Sequence, residues 1–98
     1  MKYKFKKTCS ACPEQYDVYE DDKKVAYIRY RWGHLRVNPV TSEGNIDFNT
    51  IIYEQSIGDS LDGELPDNLR HSLLCLIDNE IARYYFEIEE LKEEYDRI

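Results

Sequence analysis

From Pro66 to Ile98 no glycine and no further proline interrupts the chain, and Leu74, Ile77, Ile81, Tyr84, Ile88, Leu91, Tyr95 and Ile98 follow one another at strictly alternating intervals of three and four. Side chains at that spacing share one face of an α-helix. The last third of the sequence is therefore read as one long helix with an apolar stripe, widened by Leu69, Leu73 and Tyr85. Pro66 suits its first turn, where the missing N–H leaves nothing unbonded. The pattern predicts a helix over roughly 66–97. A helix with one apolar face needs a cover, and the preceding residues have to supply it.

Those residues read as strands. Met1, Tyr3 and Phe5 alternate with Lys2, Lys4 and Lys6, the period-two pattern of a strand with one wet face. Gln15–Tyr19, Val25–Trp32, Leu35–Val37 and Thr50–Glu54 are further strand candidates, separated by polar or glycine-containing turns. The expected fold is α+β: a small antiparallel sheet of about four to five strands within residues 1–54, an acidic loop over 55–65, and one long C-terminal helix covering the sheet. With 98 residues the chain has room for one core and not two, so 1–98 is read as a single domain. Apolar residues at 42% and aromatics at 13% exceed what a disordered chain carries. No stretch approaches the ~20 apolar residues of a membrane span. Residues 1–7 lack the apolar run of a secretory signal, and three cysteines without a paired framework suit a reducing compartment. The expectation is a cytoplasmic protein with no membrane partner.

The register can be read further. With Gly33-His34 as a two-residue turn, Trp32 lies opposite Leu35 and Tyr30 opposite Val37 on a core face shared with Ile28 and Ala26. Arg31 then lies opposite Arg36 on the other face, with Arg29 beside them. A three-residue turn at Asp21–Lys23 sets Val18 opposite Ala26 and Tyr16 opposite Ile28, with Asp17 diagonal to Arg29. A two-residue turn at Asp21-Asp22 would swap the faces, as any one-residue slip does.

The net charge of −7 argues against bulk nucleic-acid binding, but the charge is segregated. Residues 1–7 hold four lysines and no acid, residues 14–22 five acids and no base, and residues 23–36 five bases and no acid. The sheet is expected to have a basic outer face. Like charges directly opposite one another destabilise a strand pair, so Arg31 and Arg36 need a counter-charge. Asp17, Glu14 or the acidic segment 54–64 could supply it from within. Alternatively an external anion supplies it: a phosphate, a nucleotide, a nucleic-acid strand or an acidic patch on a partner. The guanidinium fork suits such groups, and Tyr27 on the same face could stack on a base. Arg29, Arg31, Arg36 and Tyr27 form the candidate ligand site.

Other motifs say less. Cys9 and Cys12 make a lone CxxC, which admits a zinc or a thiol site. A structural zinc needs four ligands, and only Cys75, His34 and His71 remain to complete a set. A thioredoxin-type thiol site would stand at a helix N-terminus, and here Pro13 leads into strand-like sequence. No phosphate-loop or dinucleotide fingerprint is present, and Asp59, Asp62 and Glu64 lack the ligand spacing of a calcium loop. No cofactor and no enzymatic activity is expected. The far end of the helix thins to a narrow coiled-coil-like seam, with Glu80, Glu87 and Glu94 on one flank and Lys92 on the other. This admits a homodimer through the C-terminal helix. The acidic face carrying Glu87, Glu90 and Glu94 is the candidate partner-binding surface.

The segments Ala11-Cys12-Pro13-Glu14-Gln15-Tyr16-Asp17-Val18 and Ala26-Tyr27-Ile28-Arg29-Tyr30-Arg31-Trp32-Gly33-His34-Leu35-Arg36-Val37, with Ile52-Tyr53 after them, resemble small proteins of phage and bacterial genomes. Those run C-P-E-Q-Y-D-V, then G-Y-x-R-x-R-x-G and a V-Y strand. The likeness covers roughly residues 9–54, and Ala26 stands where the family has glycine. It brings no catalytic residue. It implies a setting, in which small phage proteins bind and disable a host protein through charged surfaces.

Overall fold

A computed structural model describes residues 1–9, 13–58 and 63–96 of the chain. Five strands, β1 (Lys4–Cys9), β2 (Glu14–Glu20), β3 (Lys23–Arg31), β4 (His34–Pro39) and β5 (Tyr53–Ser56), precede one helix, α1 (Asp67–Asp96). The strands form one antiparallel sheet in the order of the chain, each pairing with the strand before it. The α+β reading therefore holds. The helix packs on one face of the sheet only.

Alternation in the strands builds the core. Tyr16, Val18, Ala26, Ile28, Tyr30, Leu35 and Val37 point to the inner face and are buried against Leu73, Ile77 and Ile81 of α1, with Tyr3 and Leu65 closing the ends. Two polar links fix the helix to the sheet. The buried Asp78 carboxylate accepts the backbone amides of Lys2 (3.0 Å) and Tyr3 (2.8 Å), and the Tyr85 hydroxyl donates to the Val25 carbonyl. Pro66 starts the helix as expected: its carbonyl accepts the amides of Leu69 and Arg70, both at 3.0 Å.

Both hairpin turns differ from the expected ones, and both leave the faces as read. In the β3–β4 hairpin the turn is Trp32-Gly33, not Gly33-His34. Arg29 pairs with Arg36, Tyr30 with Leu35 and Arg31 with His34. Moving a two-residue turn by one position shifts the pairing by two, so every side chain keeps its side. The exception is Trp32, which leaves the core for the turn and is 60% exposed. In the β2–β3 hairpin the turn is Asp21-Asp22, with Asp21 at φ 55°. The swap this would impose is undone by a bulge, with Val25 as the extra residue, so Val18 still faces Ala26 and Tyr16 still faces Ile28. A second bulge at Thr8 turns Cys9 to the outer face, while Lys7, two residues after Phe5, shares the inner face with Phe5.

At about 1.5 Å per residue, the 30 residues of α1 span ~45 Å, nearly the whole 49 Å length of the molecule. Only its first two-thirds, as far as Tyr85, is covered. Beyond Tyr85 every described residue of α1 is exposed, including Phe86, Ile88, Leu91 and Tyr95. Ile98, at the end of the stripe, lies outside the described residues, as do Cys12, Asp59 and Asp62. No helix of the described residues is long and apolar enough to cross a membrane.

Candidate functional site

The outer face of the sheet is free of the helix, and across β2, β3 and β4 its side chains stand in three rows. Asp17, Tyr27 and Asn38 form the first; Gln15, Arg29 and Arg36 the second, extended by Cys9 on β1 and Glu54 on β5; Arg31 and His34 the third, extended by Ser56. A concavity of about 440 Å³ opens here, lined by Tyr27, Arg29, Arg31, Trp32, His34, Arg36, Asn38 and Phe48. All four side chains singled out as the ligand site thus line one groove. Arg36 faces Arg29 rather than Arg31, as the turn correction requires.

Two aromatic rings stand at its ends. Trp32 sits at φ 57° and Gly33 at φ 68°, the doubly left-handed backbone of a type I′ turn. Glycine takes that conformation freely, whereas a tryptophan there costs roughly 1–2 kcal/mol. The turn at the hairpin tip places the indole at the rim, with the Arg31 guanidinium 5.0 Å from the ring centre. At the opposite end Phe48, 64% exposed, projects from the loop between β4 and β5. That loop is a small folded unit. The buried Asn38 amide donates to the Thr50 carbonyl at 2.8 Å, the Asp47 amide donates to the Pro39 carbonyl at 2.9 Å, and Asp47 accepts the Thr50 hydroxyl at 2.8 Å and the Asn49 amide at 3.0 Å.

The counter-charges cover part of this face. Glu54 lies 3.6 Å from both Arg36 Nε and His34 Nε2, and Asp17 is taken by Lys24 at 3.0 Å. Glu14 does not serve this face at all, because β2 turns it inward. Among the described residues neither Arg29 nor Arg31 has a carboxylate within ion-pair distance. The Arg29 Nε is buried without an acceptor. Burial, beside Asp17, pushes the Tyr27 phenol above its ordinary value against the pull of Arg29, so it is a neutral hydrogen-bonding group at physiological pH.

The inner face holds a charged cluster that the sequence does not announce. Glu14 is fully buried. Arg70 grips it with two hydrogen bonds of 3.0 Å, the Leu65 amide donates at 2.9 Å, and the Tyr16 hydroxyl donates as well. Arg70 also bonds the Leu65 carbonyl at 2.9 Å and pairs with Asp67. Burial alone would raise the Glu14 pKa; the bonds from Arg70, Tyr16 and Leu65 outweigh it and hold the carboxyl below the usual range. The Tyr16 phenol is pushed up, by burial and then by its bond to Glu14. With its donors and acceptors matched, this cluster clamps the start of α1 to β2 and leaves nothing over for a substrate.

The remaining candidates are scattered. Cys9 lies on the outer face at the β1 edge, while Cys75 and His71, 3.7 Å apart on α1, lie in the layer under the inner face. Among the described residues no three histidine, cysteine, aspartate or glutamate side chains gather as a metal site. Glu87, Glu90 and Glu94 are exposed on the uncovered last third of α1. The sequence reading missed Trp32, His34, Asn38 and Phe48 as groove residues. The ordinary signature of a type I′ turn is Asn-Gly, Asp-Gly or Gly-Gly, so Trp32-Gly33 does not announce one, and nothing periodic marks Phe48. Comparison of the chain with protein-family models, with curated proteins and with solved structures finds no match.

Proposed function

We propose that this is a non-catalytic binding protein whose working surface is the outer groove, and that its ligand combines phosphate with a flat ring, as nucleotides and nucleic acids do. The observation that carries this reading is the pair Arg29 and Arg31, two guanidinium groups without a carboxylate among the described residues, set between exposed aromatic rings. Arginine is suited to phosphate by its fixed fork of donors, and an exposed ring is suited to a base by stacking. The test is thermal unfolding against a panel of nucleotides, short nucleic acids and inorganic phosphate. A ligand at ~100 times its Kd adds about 2.7 kcal/mol of stability. That shift should vanish in Arg31→Glu/Arg36→Glu, and in Arg29→Gln/Arg31→Gln, which leaves the Glu54 pair intact. No shift from any phosphate compound would overturn the reading.

A second reading rests on the uncovered last third of α1. Ile88, Leu91 and Tyr95 are exposed, and the helical repeat puts them on the same face as the buried Ile77 and Ile81. Glu87, Glu90 and Glu94 lie along one flank. An apolar strip edged with acid suits a protein that offers an apolar groove rimmed by lysine or arginine, such as a host protein in the phage setting. It suits a second copy less well. A parallel partner helix would have to run through the space filled by the sheet, and an antiparallel one would set Glu87 beside Glu94. Ile88→Asp/Leu91→Asp should remove a partner's binding and leave folding unchanged; a partner bound equally by wild type and variant would discard this surface.

A further inference from the structure

The order of groups along the groove narrows its ligand. From the Asn38 end to the hairpin tip, the wall runs Phe48, then Tyr27 beside Asn38, then Arg29 beside Arg36, then Arg31 beside His34, then Trp32. Rings occupy both ends and cations the middle. Asn38 to His34 is four residues of strand, ~13 Å at about 3.3 Å per residue. A mononucleotide carries one base and so can satisfy one end only, leaving the other exposed ring without a partner. A ligand with a base at each end and phosphates between them matches both. Duplex bases are already stacked on each other; only unpaired bases offer their faces to a protein ring.

We propose that the groove is a site for single-stranded nucleic acid, about three nucleotides long, with bases stacked on Trp32 and Phe48 and the intervening phosphates on Arg29, Arg31 and Arg36. This rests on the assignment of the groove to phosphate-bearing ligands and adds which of them it takes. The overall charge of −7 does not oppose it. Most of that excess lies in α1, which carries nine acids against three bases on the other side of the sheet, so the basic surface stays local and short. Long-range attraction is weak, and stacking has to supply a large share of the affinity.

The experiment is competition binding, with fluorescein-labelled oligothymidylate and oligouridylate as probes and thymidine monophosphate, trinucleotides, hexanucleotides, a duplex and inorganic tripolyphosphate as competitors. Trp32 is the only tryptophan in the chain, so its emission reports on the groove directly. The expected result is that trinucleotides bind at least tenfold tighter than the monophosphate, hexanucleotides little tighter than trinucleotides, and that Trp32 emission is quenched. The logarithm of affinity should fall against the logarithm of salt with a slope of about −1.4, the value for the two phosphates between three nucleotides on a single strand. Trp32→Asn and Phe48→Ala should each weaken the trinucleotide at least fivefold with the fold intact, and Trp32→Phe should restore most of the loss. A monophosphate that competes as well as the hexanucleotide would overturn the single-strand site and leave a mononucleotide groove. Tripolyphosphate competing equally, with Trp32→Asn and Phe48→Ala unaffected, would overturn it in favour of a plain polyanion patch. If no phosphate compound binds, the assignment of the groove itself fails.

Discussion

The two faces of the sheet treat arginine in opposite ways. On the inner face Arg70 spends its donors on Glu14, Asp67 and the Leu65 carbonyl, and a fully buried carboxylate is held ionised in return. On the outer face Arg29 and Arg31 stand in a concave wall with no carboxylate among the described residues, and Arg29 faces another arginine across the ladder. The acids nearest to them are spent elsewhere, Asp17 on Lys24 and Glu54 on Arg36 and His34. The contrast separates a cation that holds the fold together from cations the fold carries without needing them. In a chain that neutralises Arg70 so completely, Arg29 and Arg31 read as sites for a charge brought from outside.

The difference can be measured as stability. The largest effect is expected at Arg70→Met, which leaves the buried Glu14 with Lys7, 4.0 Å away and half-exposed, as its remaining cation. Removing one partner of such a pair costs 3–5 kcal/mol, and the partly exposed Arg70 places it at the low end, about 3 kcal/mol. Arg29→Met and Arg31→Met should fall within about 0.5 kcal/mol of wild type, since Arg29 buries an Nε without an acceptor and Arg31 is exposed without a carboxylate partner among the described residues. Urea denaturation of the three variants makes the comparison, and equal losses would erase the distinction between the faces. Next comes pH. Because the folded pKa of Glu14 lies below its unfolded value, its contribution is complete above the ordinary glutamate range and is lost as pH falls through the folded value. Glu14→Gln should therefore cost about 2 kcal/mol at pH 7, with the gap to wild type closing as the pH falls below about 4. Trp32→Asn should act in the opposite direction. It relieves the left-handed tryptophan and should raise stability by about 1 kcal/mol, while weakening any ligand that stacks on the indole. The smallest effect is expected from a stop codon after Glu87. The described residues it removes, 88–96, are exposed, so stability should move by less than about 0.5 kcal/mol.

The faces of the sheet were readable because they depend on parity alone. Ala26, Ile28 and Tyr30 alternate with Tyr27, Arg29 and Arg31, and no turn shift by a whole residue in a two-residue loop can exchange them. Turn position was less readable, since Gly33 can serve either central position and the bulk of Trp32 argued for the core. The bulge at Val25 reconciles a two-residue turn with the observed faces, and no residue type announces it. Half of the groove lining was visible as a run of alternating arginines. The other half was not, because Phe48 reaches the groove through a loop whose shape is set by hydrogen bonds of Asn38 and Asp47, which leave no period in the sequence. The Glu14–Arg70 pair joins residues 56 positions apart and is invisible without the fold. The apolar stripe on α1 was legible along its length, but not where its cover stops.

The two outer strands of the sheet bear on how this molecule can be recognised. At one edge stands β1, with exposed Lys4, Lys6 and Lys7 and a bulge at Thr8; at the other stands β5, four residues long and carrying exposed Glu54. Charged, kinked or very short margins are poor templates for an added strand. An extended peptide, a neighbouring molecule or a growing aggregate finds little continuous backbone there to zip onto. Whatever engages the sheet must come down onto its broad side, where side chains and not main-chain amides do the reading.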